Sequence, residues 1–257
     1  MKICKTGIVE SVSMLSPMIY DLAVTTNLKD YAVPGQFVMI YPKDKSTLLP
    51  RPISICEITE TGLRFVFRIA GKGTAEFSGY KAGDSIKLMG PLGNGYDINL
   101  LKGKKVLTLG GGIGVPPMLE LTKALKSQNI DVTAVLGYRD SSLFLKDDFD
   151  KYNDTVVATE DGSIGTKGNV MDAIAANNLK ADVICACGPM PMLRAIKAYA
   201  EKENITAFIS LEERMACGVG ACLGCVAKTT KEDHHSHVNN ARVCTEGPIF
   251  DSKEVDI

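Results

Sequence analysis

Through the first hundred residues, apolar and polar positions alternate in short runs at 8–15, 18–26, 36–41, 53–58, 63–69 and 85–88, with turn-forming residues between them. Period-two runs of this length predict strands with one buried face, and six of them predict a small antiparallel barrel. Beyond residue 100 the rhythm changes. Continuous apolar runs at 105–109, 132–136, 155–159, 182–187 and 207–211 alternate with helix-period segments at 116–126, 169–177 and 190–203. That β-α alternation predicts a right-handed, mostly parallel sheet covered by helices. The change of rhythm falls at 100–104, just where Gly103, Lys104 and Lys105 introduce the first long apolar strand. Three segments are therefore expected: a barrel over 1–100, an α/β domain over 101–211 and a cysteine-bearing segment over 212–257.

Composition narrows the class. With 257 residues, 45% of them hydrophobic and 23% charged, the chain can bury a substantial core. A formal net charge of -1 argues against a nucleic-acid or anionic-membrane surface. The start, Met1 to Gly7, lacks the apolar stretch of a signal peptide, and no run approaches the ~18 apolar residues of a membrane span, so a soluble cytoplasmic protein is expected. In that compartment eight cysteines suggest thiols and metal ligation rather than disulfides. The polar tract 228–240, with His234, His235 and His237, reads as a solvated loop.

Four cysteines carry the most specific signal. Cys217, Cys222 and Cys225 lie in Cys217-Gly-Val-Gly-Ala-Cys222-Leu-Gly-Cys225, and Cys244 follows the polar tract. This is the plant-type [2Fe-2S] spacing. Gly218, Gly220 and Gly224 let the backbone wrap closely and aim N–H groups at sulfur. Structural zinc is the alternative, although such sites usually pair two short Cys hooks.

A second motif follows the first long strand: Gly110-Gly-Gly-Ile-Gly114-Val-Pro-Pro117, then a helix. Glycines there admit a ligand's phosphates, and the helix N-terminus offers N–H donors. Cys187-Gly188-Pro-Met190 and Gly137-Tyr-Arg139 also fall at strand ends, where open α/β sheets bind ligands, though either could be an ordinary turn. Cys185 reads as core. In the barrel half, Arg51-Pro-Ile-Ser54 and Arg68-Ile-Ala-Gly-Lys-Gly-Thr74 offer charge-assisted and backbone donors for a pyrophosphate.

Arg51-Pro-x-Ser54, Gly73-Thr74, Gly90-Pro-Leu-Gly93, Gly110-Gly-Gly-x-Gly114 and Cys187-Gly-Pro-Met190 occur in the order found in the ferredoxin-NADP reductase superfamily. With the cysteine array, the chain resembles one family within it, the electron-transfer subunits of B-type dihydroorotate dehydrogenases. The resemblance covers essentially the whole chain. It implies an FAD-binding barrel, a pyridine-nucleotide domain and a [2Fe-2S] segment held by Cys217, Cys222, Cys225 and Cys244. Arg51, Pro52, Ile53 and Ser54 would meet FAD, with Ile53 where many relatives carry an aromatic residue. Arg68, Ile69 and Ala70 would line the cofactor, and Gly73 and Thr74 would lie at its pyrophosphate. Gly111, Gly112 and Gly114 would cradle NAD, with Cys187 and Gly188 close to the nicotinamide. The long stretch 226–243 would be a surface insertion.

The resemblance also implies a partner subunit carrying FMN and the orotate site, in a heterotetramer with two copies of each subunit, acting in pyrimidine biosynthesis. Electrons would pass from dihydroorotate through the partner's FMN, the cluster and FAD to NAD+. No catalytic acid or base is expected in this chain. Two other functions fit parts of the pattern: the small flavoprotein subunit of an NADH-dependent ferredoxin:NADP oxidoreductase or sulfhydrogenase, and a zinc-stabilised interaction module. Arg139 could hold a 2′-phosphate and Asp140 a ribose hydroxyl, so the residues leave NAD and NADP open.

Overall fold

The computed structural model describes residues 3–232 and 237–257. Six strands form the first half: β1 (Ile3–Ser16), β2 (Ile19–Thr25), β3 (Phe37–Tyr41), β4 (Arg51–Ile58), β5 (Gly62–Arg68) and, after helix α1 (Lys72–Ser78), β6 (Ser85–Leu92). They close into a barrel in the order β1-β2-β5-β4-β3-β6. Alternate residues fill its interior, among them Leu22 and Val24 on β2, Val38 and Ile40 on β3, and Phe65 and Phe67 on β5. This is the period-two pattern of a strand with one wet face.

The second half contains β7 (Lys105–Gly111), α2 (Val115–Ser127), β8 (Asp131–Tyr138), α3 (Lys146–Asp150), β9 (Thr155–Thr159), β10 (Thr166–Lys167), α4 (Val170–Ala176), β11 (Val183–Cys187), α5 (Met190–Glu203) and β12 (Thr206–Ser210). Helix α5 buries Leu193, Ile196 and Ala200, spaced for one face, and ends where Asn204 adopts a left-handed conformation at φ 53°. Every residue of β11 is buried, as a central parallel strand with helices on both sides requires.

The remaining strands are β13 (Val226–Lys228), β14 (Asn240–Arg242) and β15 (Ile249–Asp251). The large sheet runs β10-β9-β8-β7-β11-β12-β15. All its pairs are parallel except the last, where β15 returns antiparallel to β12. The cysteine-bearing tail thus supplies an edge strand to the α/β sheet. Strand order reverses between β7 and β11, and the carboxyl ends that meet there are Gly110 and Cys187, directly in register. A reversal of this kind opens a crevice at the strand ends.

The tract 226–243 differs from a plain surface insertion. β13 and β14 pair, and Ala227 and Ala241 bury their methyl groups in the core. The hairpin is also stitched to the C-terminus, with Thr230 N–H donating to the Glu254 carbonyl and Asp256 N–H to that of Lys228. Small residues in three-residue strands carry too little hydrophobic pattern to reveal this. His234 and His235 lie outside the described residues.

Candidate functional site

The cluster loop is folded by left-handed backbone at Gly218 (φ 66°), Gly220 (φ 81°) and Leu223 (φ 56°). These turns aim backbone donors at sulfur: Val219 N–H reaches Cys217 Sγ and Gly224 N–H reaches Cys222 Sγ, each at 3.4 Å. None of the eight cysteines is in a disulfide. Burial works to raise the Cys217 thiol, but the N–H groups of Val219 and Cys222, the Cys222 thiol and the Ala221 N–H overcome it and hold Cys217 down at about 6. Burial, then the hydrogen bond and charge of Cys225, pushes Cys244 up to about 11. Cys217 interacts with Cys222 and Cys244 with Cys225, and the charge of Cys217 also reaches Cys244. A [2Fe-2S] cluster takes two thiolates on each iron, and the four cysteines match it in number and kind, while among the described residues no three such side chains stand together as a metal-holding group. A buried hydroxyl, Thr245 Oγ1, has no partner beside the loop, and a Cβ on Gly220 would stand 3.2 Å from it.

A trough runs along the barrel rim as three adjoining cavities of about 310, 650 and 350 Å³ that all include Arg51. Pro52, Ile53, Ser54, Arg68, Ala70 and Thr74 line the innermost part, and Lys72 lies at the far end. The elongated shape and the cationic residues along it suit a dinucleotide such as FAD. The Arg51 guanidinium donates to the Leu49 carbonyl at 2.6 Å. Its room comes from Gly73, where a Cβ would approach Arg51 Nε to 2.9 Å. Thr74, expected at the pyrophosphate, has its hydroxyl engaged within its own turn. Its hydroxyl accepts from the N–H groups of Ala70 and Gly71 and donates to the Gly71 carbonyl, so it shapes the turn. Ile69 is held through its N–H to the Met18 carbonyl.

At the sheet crevice the three glycines play unequal parts. Gly112 has φ 53° and open space where a side chain would point. Gly114 packs on the neighbouring turn, and a Cβ there would lie 2.3 Å from the Cys187 carbonyl oxygen and 2.6 Å from Gly188 Cα. A Cβ on Gly111 would meet Met192 Sδ at 2.5 Å. Helices α2 and α5 both begin here with no side-chain cap, yet they offer fewer donors than the sequence suggests: Pro116, Pro117 and Pro191 have no N–H, Val115 N–H is bound to the Gly112 carbonyl, and the N–H groups of Met192 and Leu193 are bound to that of Pro189. Cys187 is only 1% exposed, and burial raises its thiol, with the Glu212 charge adding and a Ser210 hydrogen bond opposing. It is a packed thiol rather than a reactive one. Cys185 is fully buried.

Several lining residues escape the sequence reading. Ile113 and Pro117 from the turn after β7 and the start of α2, Ser210 at the end of β12, and Glu212 and Met215 beyond it complete the innermost cavity. Surrounding protein pushes the Glu212 carboxyl above its usual range, with Arg68 pulling the other way. A single acidic residue after a strand carries no sequence signal. Only its position just ahead of Cys217 could have hinted at it. Just past β8, Asp140 accepts from Ser142 N–H at 2.9 Å, which holds its carboxyl low.

Comparison with known proteins places this geometry. Residues 212–256 match the iron-sulfur cluster binding domain of dihydroorotate dehydrogenase B. The dihydroorotate dehydrogenase B (NAD(+)) electron transfer subunit of Fusobacterium nucleatum is 42% identical over 248 residues, covering 93% of each chain. Its counterpart from Streptococcus mutans is 40% identical over 245 residues, covering 94% of this chain and 93% of that one. Among solved structures, an NADH-dependent reduced ferredoxin-NADP oxidoreductase superposes with a TM-score of 0.87 at 30% identity, covering 97% of this chain and 89% of that one. A ferredoxin NADP+ reductase from Neisseria gonorrhoeae with bound FAD and NADP shares the fold at 17% identity and TM-score 0.67, over 77% of this chain and 91% of that one.

Proposed function

The chain belongs to the family of dihydroorotate dehydrogenase B electron transfer subunits, and from that premise we propose how its residues divide the work. It is an oxidoreductase subunit that moves electrons between NAD and a partner subunit by way of FAD and an iron–sulfur cluster. When bound, FAD takes or gives electrons as a hydride or singly, and the cluster carries one at a time.

Arg51, Pro52, Ile53, Ser54, Arg68, Ile69, Ala70, Gly73 and Thr74 hold FAD in the trough, with Arg51 the principal cation and Thr74 keeping the turn in shape. Gly111, Gly112, Gly114, Cys187 and Gly188 form the crevice that orients NAD, Gly112 giving close approach and the others close packing. Cys217, Cys222, Cys225 and Cys244 hold the [2Fe-2S] cluster. Residues 1–100 act as the flavin barrel, 101–211 as the nucleotide domain and 212–257 as the relay segment. The partner carries FMN and oxidises dihydroorotate, in a cytoplasmic heterotetramer with two copies of each subunit. Among the described residues no helix is long and apolar enough to cross a membrane.

One observation carries the reading. Met215 lines the innermost cavity and stands two residues before Cys217, so their Cα atoms are at most about 7 Å apart. A Cβ on Gly218 would lie 2.9 Å from Met39, and Met39 pairs with Pro52 of the trough. The cluster loop therefore rests on the wall of the flavin cavity, and electrons need cross no further protein layer between them. The exposed Cys222 and Leu223 leave the outer side open to a partner.

The purified chain should carry FAD with iron and acid-labile sulfide, and NADH should bleach its flavin absorbance without air. A colourless protein containing zinc and no flavin would refute the proposal.

A further inference from the structure

Strand β4 and helix α2 meet twice. At one end Arg51–Ser54 and Pro117 line the same cavity. At the other, α2 grips both backbone groups of Ile58: Glu120 Oε2 accepts its N–H at 2.7 Å, and Lys123 Nζ donates to its carbonyl at 2.9 Å. Lys123 also donates to Glu57 Oε1 at 3.1 Å.

Beside this grip, Arg64 spans the two halves of the molecule. Its Nε and Nη2 donate to Asp21 at 2.7–3.1 Å, and its Nη1 donates to Glu57 at 3.2 Å, directly across the β4–β5 ladder. Its Nη2 then reaches Asp148 on α3 at 3.0 Å. These side chains are mostly buried, Arg64 being 17% and Glu120 8% exposed. Apolar packing would hold barrel and sheet together without the desolvation that buried charges require. It is, however, non-directional, whereas an arginine fork fixes angle and register.

The geometry points to a brace: Arg64 and Lys123 are positioning residues that set the spacing between the flavin on β4 and the nicotinamide at the start of α2. The inference rests on the function proposed above. Hydride transfer needs its reacting atoms about 3–3.5 Å apart, and a misplacement of about 1 Å costs on the order of 100-fold in rate. A slip between β4 and α2 at their braced ends is transmitted to that distance.

The test uses the FAD-loaded chain, reduced by NADH in a stopped-flow instrument, comparing wild type with Asp148→Asn, which removes the charge that Arg64 meets on the sheet side, and Lys123→Met, which keeps the stem and removes the donors. The limiting rate of flavin reduction should fall about 10- to 100-fold in both. The apparent NADH affinity should stay within about threefold, FAD content should be unchanged, and the long-wavelength charge-transfer band of the NADH–flavin complex should weaken. Asp148→Glu should restore most of the rate. Wild-type limiting rates in both substituted proteins would overturn the brace, as would a fall in melting temperature or FAD content with an unchanged rate in the FAD-bound fraction. If NADH fails to reduce the wild-type flavin, the proposed function fails instead, which keeps the two ideas separable.

Discussion

Gly114→Ala tests the crevice between the two nucleotide-binding turns. The backbone imposes no obstacle, because Gly114 sits at φ -82° and ψ -6°, open to any residue. The obstacle is steric. The new methyl would fall 2.3 Å from the Cys187 oxygen, 2.5 Å from its carbonyl carbon and 2.6 Å from Gly188 Cα. Carbon contacts are comfortable near 3.5–4.0 Å, so the two turns must separate by about 1 Å. None of the three is a side-chain atom that can rotate away. The cost therefore belongs at the upper end of overpacking penalties, about 3 kcal/mol. At roughly 2–4 °C per kcal/mol for a chain of this size, the melting temperature should drop by about 6–12 °C. Separation of the turns should also weaken NADH, read as the concentration giving half-maximal flavin reduction. Gly112→Ala makes the contrast: it meets no atom but forces alanine to φ 53°, for about 1–2 kcal/mol. A Gly114→Ala protein melting within 2 °C of wild type with unchanged NADH affinity would refute the reasoning.

Cys222→Ser should abolish the visible and paramagnetic signals of the cluster while FAD stays bound, because the trough and the cysteine loop use different residues; full iron content in that protein would count against the assignment. Arg51→Ala should weaken FAD by about 1.5–3 kcal/mol, seen as flavin lost on dialysis. Gly73→Ala should act in the same direction by pushing on Arg51 Nε, and retention equal to wild type in both would remove Arg51 from the site. Thr245→Val deletes the unpartnered hydroxyl beside the cluster loop and should make the cluster's midpoint potential more negative, since hydrogen bonds to sulfur favour the reduced form. An unchanged potential in a redox titration would mean that the hydroxyl faces elsewhere.

What the sequence reveals follows from how far each signal reaches along the chain. Cys217, Cys222 and Cys225 stand within nine residues, so loop spacing alone betrays their chemistry. Helix α5 is legible over its full length, 190–203, because four turns give a clear apolar face and Asn204 stops it. Helix α3, with five residues, is too short for a period to emerge, and α1 starts from Gly71 with no side-chain cap, whereas the equally short α4 is marked by its Asn169 cap; the β13–β14 hairpin buries only two alanines. The brace is invisible for another reason. Arg64 lies 43 residues from Asp21 and 84 from Asp148, and nothing in one sequence joins charges at such separations. Thr74 shows the opposite limit: its motif is plain, yet only coordinates show its hydroxyl bound to its own turn.

The central claim is that electrons pass between NAD and the partner through flavin and cluster in turn. The most direct measurement sets two rates side by side in wild type and Cys222→Ser: NADH oxidation by an artificial acceptor with the chain alone, and dihydroorotate-dependent NAD+ reduction after adding the catalytic partner subunit. Wild type should show the first without the partner and gain the second with it, while Cys222→Ser keeps much of the first and loses the second. Coupling of dihydroorotate to NAD+ at the wild-type rate in Cys222→Ser would place the cluster off the path and contradict the account.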